Sequence, residues 1–226
     1  MRVQDDERRK ELVAHWPPLL KNLLKRAPGA DKFARLLDFV PWQPGYREHL
    51  LEMLPKNSVC AEVGVHRGEF SARVLKIVNP KELHLIDPWK YEPSNTYKEA
   101  LYGGKTSRGQ EEMDERYHSV RQRFDAEIHS GRIVIHRDFS NNVLGEFQDG
   151  YFDWVYIDGN HLYEFVRQDL TLSFQKTKPG GYITGDDYQA GGWWQGGVKK
   201  AVDEFVRDKP VQLVAIENGK FVLRKN

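Results

Sequence analysis

The chain has 226 residues, with 34 basic and 33 acidic side chains and a formal net charge of +1; that length suits one large domain or two small ones. Hydrophobic residues at 39% and charged residues at 30% describe an ordinary globular chain and exclude a disordered one. The near-neutral balance argues against a protein that holds nucleic acid by neutralising phosphates, which needs a basic excess, though a local basic patch remains compatible with it.

Residues from about 4 to 54 read as helical, broken at Pro17-Pro18, Pro28-Gly29 and Pro41 to Gly45. The N-terminus has no uninterrupted apolar h-region and no small-residue cleavage site, so it does not read as a secretory signal. No stretch approaches the roughly 18 consecutive apolar residues of a membrane span. Leu19, Leu20, Leu23 and Leu24 with Lys21, Lys25 and Arg26 fit a helix packed on the domain better than a membrane-surface helix. The expected location is cytoplasmic, with no membrane partner. Residues 1–55 form an N-terminal helical segment that either covers an acceptor cleft or makes a homodimer contact; residues 56–226 form the main domain.

From Ser58 the texture changes to short apolar runs alternating with amphipathic stretches. SVCAEVGV, ELHLIDP, RIVIHRD, FDWVYIDG and GGYITGDD read as buried strands. GEFSARVLKIV, MDERYHSVRQRF, NNVLGEF and LYEFVRQDLTLSF read as helices, the last with Leu162, Phe165, Val166 and Leu170 on one face. Such alternation implies right-handed βαβ units, hence an α/β, Rossmann-like, doubly wound sheet. After the helix GVKKAVDEFV, the runs VQLVAIEN and KFVLRKN meet at a Gly-containing turn and predict an antiparallel hairpin closing a mostly parallel, seven-stranded sheet. The only cysteine, Cys60, lies inside the first strand, and a single thiol forms no internal disulfide. Segment 91–110 fits neither period and is long for a connection; it reads either as a mobile lid over a site or as disorder.

AEVGVHRGEF places Glu62 in the first strand, then Gly64 and Gly68 before a helix. A strand, a glycine turn and a helix N-terminus let backbone approach a ligand with N–H groups facing it. A dinucleotide site would carry a glycine where His66 stands, so the pattern suits a ligand without phosphates. The second strand ends in Asp87, an acid able to take both hydroxyls of a ribose. AEVGVHRGEF with LIDPW resembles the cofactor motifs of class I S-adenosylmethionine-dependent methyltransferases over about residues 56–226. By that resemblance Glu62, Gly64 and Gly68 line the methionine side, Asp87 binds the ribose and Trp89 lies nearby. Asp138, Phe139 and Ser140 in IHRDFS match the place where the family contacts adenine; plain core packing is an equal reading of Phe139.

FDWVYIDGNHLYEF sets Asp158 at the end of the fourth strand, with His161 three residues on, and GGYITGDDY sets Asp186 and Asp187 at the end of the fifth. The 28 residues between Asp158 and Asp186 accommodate one helix and its return, so both strand ends fall on one edge of the sheet, where doubly wound folds bind ligands. Three carboxylates converging there repel one another unless protonated or sharing a cation, and an all-oxygen set favours a hard ion, Mg²⁺, Ca²⁺ or Mn²⁺. IDGNHLYEFVRQDL with GGYITGDDY resembles macrocin-type sugar O-methyltransferases, and its spacing that of the metal-dependent catechol O-methyltransferases. The resemblance implies that Asp158, Asp186 and Asp187 hold magnesium and that His161 is the general base, where the catechol enzymes carry lysine. An imidazole near pKa ~6.5 accepts a proton at neutral pH.

Trp193 and Trp194 stand between two Gly-Gly pairs; flat indoles there either stack on an acceptor ring or pack against the N-terminal helices or a second subunit. Tyr163, Tyr188 and Gln189 are weaker candidates for acceptor hydroxyl contacts. The expected activity is metal-dependent methyl transfer from S-adenosylmethionine to a hydroxyl of a sugar, in an oligosaccharide or glycosylated small molecule. The alternatives are a catechol-like phenol acceptor or a non-catalytic S-adenosylmethionine-binding protein.

Overall fold

The computed structural model describes residues 46–102, 104 and 108–226, without the side chains of residues 46–48. The helices expected across residues 4–45 lie outside the described residues. The order is α1 (Tyr46–Met53), β1 (Val59–Val63), α2 (Glu69–Ile77), β2 (Glu82–Ile86), α3 (Gln110–Arg123), α4 (Asp125–His129) and β3 (Ile133–His136). It continues with α5 (Ser140–Glu146), β4 (Phe152–Ile157), α6 (Tyr163–Lys176), β5 (Thr177–Gly185), α7 (Gly197–Asp208), β6 (Val211–Glu217) and β7 (Lys220–Lys225). Every strand expected from the apolar runs is present. The short α4 was not expected, and β5 begins earlier than its apolar run because Thr177 already pairs with Phe152.

The seven strands lie in the order β3-β2-β1-β4-β5-β7-β6, parallel except for β7, which runs antiparallel to both neighbours. This is the mostly parallel, Rossmann-like sheet with a closing hairpin that the alternation implied. The β6–β7 turn holds Asn218 and Gly219, both at positive φ (48° and 78°), the dihedrals a two-residue hairpin needs to match strand twist. Alternate residues of each inner strand bury on opposite faces. Cys60 joins α1, α2 and α3 residues such as Leu51, Val74 and Met113 in one core. Ala61 and Val63 join α5, α6 and α7 residues such as Leu144, Leu170 and Val202 in the other. Parallel strands covered on both faces read as continuous apolar runs for this reason.

One expected face differs. On α6 the inward positions are Val166, Asp169, Leu170 and Ser173, while Phe165 is 44% exposed. Residue 165 lies a helical step away from that row, whereas spacings of three and four place 166, 169, 170 and 173 on one side. Among the described residues no helix is long and apolar enough to cross a membrane.

Candidate functional site

The chain order turns back between β1 and β4: β2 and β3 extend one way, β4 and β5 the other. Crevices at such a reversal open at the carboxyl ends of the strands. Here those ends touch. The Asp158 amide donates to Val63 O at 2.7 Å, and a Cβ on Gly64 would lie 2.0 Å from the Asp158 carbonyl oxygen. With φ at +88°, position 64 accepts only glycine on both grounds. Gly68, at φ +76°, precedes the first turn of α2 and backs onto the Phe124 ring. The glycine turn and the fourth-strand carboxylate are therefore neighbours.

Glu62 is buried and accepts from Ser71 Oγ at 2.7 Å, which ties β1 to α2. Asp87 is 1% exposed and accepts at Oδ2 from the Val65 and His66 amides, both at 2.9 Å, and at Oδ1 from the Trp89 amide and Tyr102 hydroxyl. Burial pushes its carboxyl pKa up, while the bonds from Tyr102 and the three amides pull it part of the way back. Trp89 is fully buried, and its indole donates to His66 O at 2.9 Å, locking the end of β2 onto the glycine turn. Burial, then Arg116, lowers the His66 pKa to about 4, so its ring is neutral; Nε2 has no hydrogen-bond partner among the described residues.

At the end of β3, Asp138 Oδ1 accepts from the Phe139 amide and from Asn142 Nδ2. Phe139 is 39% exposed, with Lys90 Nζ 5.2 Å from its ring centre, so it is no core residue. Ser140 Oγ donates to Asp169 Oδ1. Asp169 is 3% exposed, and burial raises its pKa to about 7 against the pull of that hydroxyl.

Asp158, His161 and Asp187 offer ligand atoms that all lie within 4.8 Å of one another. His161 Nε2 stands 3.4 Å from Asp158 Oδ1 and 3.3 Å from Asp187 Oδ2. Burial alone would lower the imidazole pKa; the bond to Asp158 and the charges of Asp158, Asp187 and Asp186 outweigh it and raise the pKa. His161 Nδ1 is buried without a hydrogen-bond partner among the described residues. Asp186 is turned elsewhere: Oδ1 accepts from Lys220 Nζ at 3.2 Å and from the Asp187 amide at 2.9 Å, and Oδ2 from the Tyr156 hydroxyl at 3.3 Å. The acids at this edge face two basic side chains, the His161 imidazole beside Asp158 and Asp187 and Lys220 beside Asp186. Two carboxylates and an imidazole are a donor set that suits a small divalent cation.

The glycine-flanked loop closes around His161. Its ring centre lies 5.9 Å from Trp193 and 5.1 Å from Trp194. A Cβ on Gly197 would meet His161 O and the Tyr163 amide nitrogen, each at 2.7 Å, so glycine lets the start of α7 press against the backbone after β4. The two tyrosines among the other acceptor candidates are bonded to α7. Tyr163 hydroxyl donates to Glu204 and Tyr188 hydroxyl to Asp203, both on α7, and Gln189 is exposed. Three contacts escaped the sequence reading. Asn160 Nδ2 donates to the Tyr97 hydroxyl at 2.8 Å, the Tyr97 ring meets Trp193 edge-on at 5.5 Å, and Tyr102 bonds to Asp87. Their only signal was the tyrosine content of segment 91–110, which has no periodicity to place a side chain.

A family model described as a methyltransferase domain matches residues 61–188. No curated protein matches the chain. Among solved structures, the chain is similar to a Corynebacterium glutamicum protein (TM-score 0.56, 13% identity, covering 92% of this chain and 95% of that one). It is also similar to the O-methyltransferase TomG from Streptomyces achromogenes, involved in tomaymycin synthesis and solved in complex with SAM (TM-score 0.55, 13% identity, 79% and 77%). A third is the N-methyltransferase NodS from Bradyrhizobium japonicum (TM-score 0.50, 14% identity, 79% and 94%). At such identities the likeness is one of fold.

Proposed function

The chain belongs to the methyltransferase-domain family, and on that premise we propose that it is an S-adenosylmethionine-dependent, divalent-cation-dependent O-methyltransferase acting on a sugar hydroxyl. The observation that carries this reading is the meeting of Asp158, His161 and Asp187 within 4.8 Å, directly beside the Gly64 turn. A cofactor-binding module alone has no use for that set at that place.

The cofactor would lie along Glu62, Gly64 and Gly68, with its ribose toward Asp87 and its adenine toward Phe139 and Ser140. Asp158 and Asp187 would hold the cation, Mg²⁺ by the hardness of their oxygens, with Asp186 behind them on Lys220. The cation supplies Lewis acidity, which favours the ionised form of an acceptor hydroxyl, and the cofactor supplies an electrophilic methyl group. His161 takes the hydroxyl proton at Nε2. Trp193 and Trp194 exclude water from that proton transfer and offer flat faces to a sugar ring. Most of the remaining rate comes from positioning the hydroxyl in line with the methyl group. No covalent intermediate on the protein is required. Cys60 is buried in β1, where burial pushes its thiol well above the ordinary range.

The test is a methyl-transfer assay over a panel of glycosides and catechols, run with Mg²⁺ and with EDTA. Turnover is expected on a glycoside, to vanish in EDTA and to return with Mg²⁺. His161→Ala should lose about 10²-fold or more in kcat while binding Mg²⁺ and S-adenosylhomocysteine as the wild type does. Undiminished turnover in EDTA refutes the cation; lost Mg²⁺ binding in His161→Ala makes His161 a ligand and not the base. Turnover on catechols alone selects the phenol reading.

A further inference from the structure

Resting on the S-adenosylmethionine reading above, we propose that the Tyr102 hydroxyl occupies, on Asp87, the place of a ribose hydroxyl, so that the cofactor binds by displacing Tyr102. A carboxylate offers about four acceptor positions. In Asp87 all four are taken: Val65 and His66 amides on Oδ2, the Trp89 amide and Tyr102 hydroxyl on Oδ1. At 1% exposure, the group has no open side from which a ribose could add a further bond. A ribose hydroxyl therefore reaches Asp87 only in exchange for a donor already there.

The four donors are not equally replaceable. Val65 and His66 belong to the glycine turn, which is closed by the Gly68 amide on Val65 O at 2.9 Å. The Trp89 amide is held by its own indole on His66 O. Releasing any of these three would dismantle the turn that forms the cofactor site and orphan a buried amide. Tyr102 is the only side-chain donor. It comes from a stretch outside regular secondary structure, retained through its carbonyl by Arg116 Nη1 at 2.5 Å and by that guanidinium 5.8 Å from the ring. Arg116 itself is buried on Glu112, so the anchor can persist while the hydroxyl leaves. A tyrosine hydroxyl and a ribose hydroxyl are both neutral O–H donors, so the exchange conserves the bond to the carboxylate and costs only the rehousing of the phenol. Tyr102 would then set the affinity for the cofactor without belonging to the reacting centre.

The test is calorimetric titration of the full chain with S-adenosylhomocysteine, comparing wild type, Tyr102→Phe and, should that variant fail to fold, Tyr102→Leu. Removing the competing hydroxyl should tighten binding roughly tenfold, the scale of one hydrogen bond to a charged group. The gain should disappear for the 2′,3′-dideoxyribose analogue of S-adenosylhomocysteine, which has no hydroxyl to put in its place. Unchanged or weaker binding of S-adenosylhomocysteine by the variant overturns the proposal, and so does an equal gain for the analogue, which would mean general loosening. Absence of binding by the wild type itself would instead remove the S-adenosylmethionine reading, and this proposal with it.

Discussion

His161 carries two opposed influences that a pH titration separates. Burial disfavours its imidazolium, while Asp158 and Asp187, each within 3.4 Å of Nε2, favour it and prevail. In the metal-free protein its NMR titration should therefore fall above the ordinary ~6.5. Saturating Mg²⁺ should lower that midpoint, because a cation shared by the two carboxylates takes up the field that held the proton. A metal-free midpoint below 6.5 would contradict the geometry. Asp186 shows why a spacing of residues does not settle ligation. It adjoins Asp187 in sequence, yet Asp187 adopts φ +59°, and that left-handed step separates the two side chains, one to His161 and the other to Lys220.

Strands β2 and β3 carry a pair of histidines that the alternating apolar pattern conceals. His84 Nδ1 and His136 Nε2 are 2.9 Å apart, among Phe147, Tyr151 and Phe152. One proton serves that bond, so the contact is lost when both rings are charged; the other His84 nitrogen, Nε2, lies 3.1 Å from Glu82 Oε1. Burial, then the nearness of His136, lowers the His84 pKa to about 4. Between pH 6.5 and 4 the unfolded chain thus binds a proton that the folded one refuses, and stability falls as pH falls through that window. Urea unfolding at pH 7 and pH 4.5 should show the wild type losing about 2 kcal/mol more than His84→Gln; parallel losses would refute the pair's role. The variant is needed as reference because Asp169, raised to about 7, acts in the opposite sense over the same range. On the other side of the sheet, residues 95–102 span two places at once, with Tyr97 on Asn160 and Trp193 and Tyr102 on Asp87.

For the whole molecule, the balance of charge has a local structure. A net charge of +1 averages over an edge where Asp158, Asp186 and Asp187 gather around His161 and Lys220. The glycine turn sits between both cores at the reversal of strand order, so a ligand bound there would join elements that otherwise meet only through the sheet. S-adenosylhomocysteine at 100 times its Kd should add about 2.7 kcal/mol of stability, a rise of about 5–10 °C in Tm for a chain of this size. The check is a thermal melt with and without the ligand; an unmoved Tm would show that the ligand does not bind the folded chain preferentially.

The sequence by itself determined the strands, their alternation with helices, the closing hairpin and the cluster of acids at one sheet edge. Those features are written in local periodicity and turn chemistry: buried parallel strands must be apolar throughout, and Asn218-Gly219 suits a hairpin turn. The tertiary structure decided which side chains meet. That Asp187 rather than Asp186 faces His161, that Asp87 is already saturated, and that Tyr163 and Tyr188 turn to α7 follow from single dihedrals and from donors distant in sequence. A short polar side chain at a strand end has several staggered directions open to it, and the neighbours packed around it select one. No periodicity along the chain records that choice.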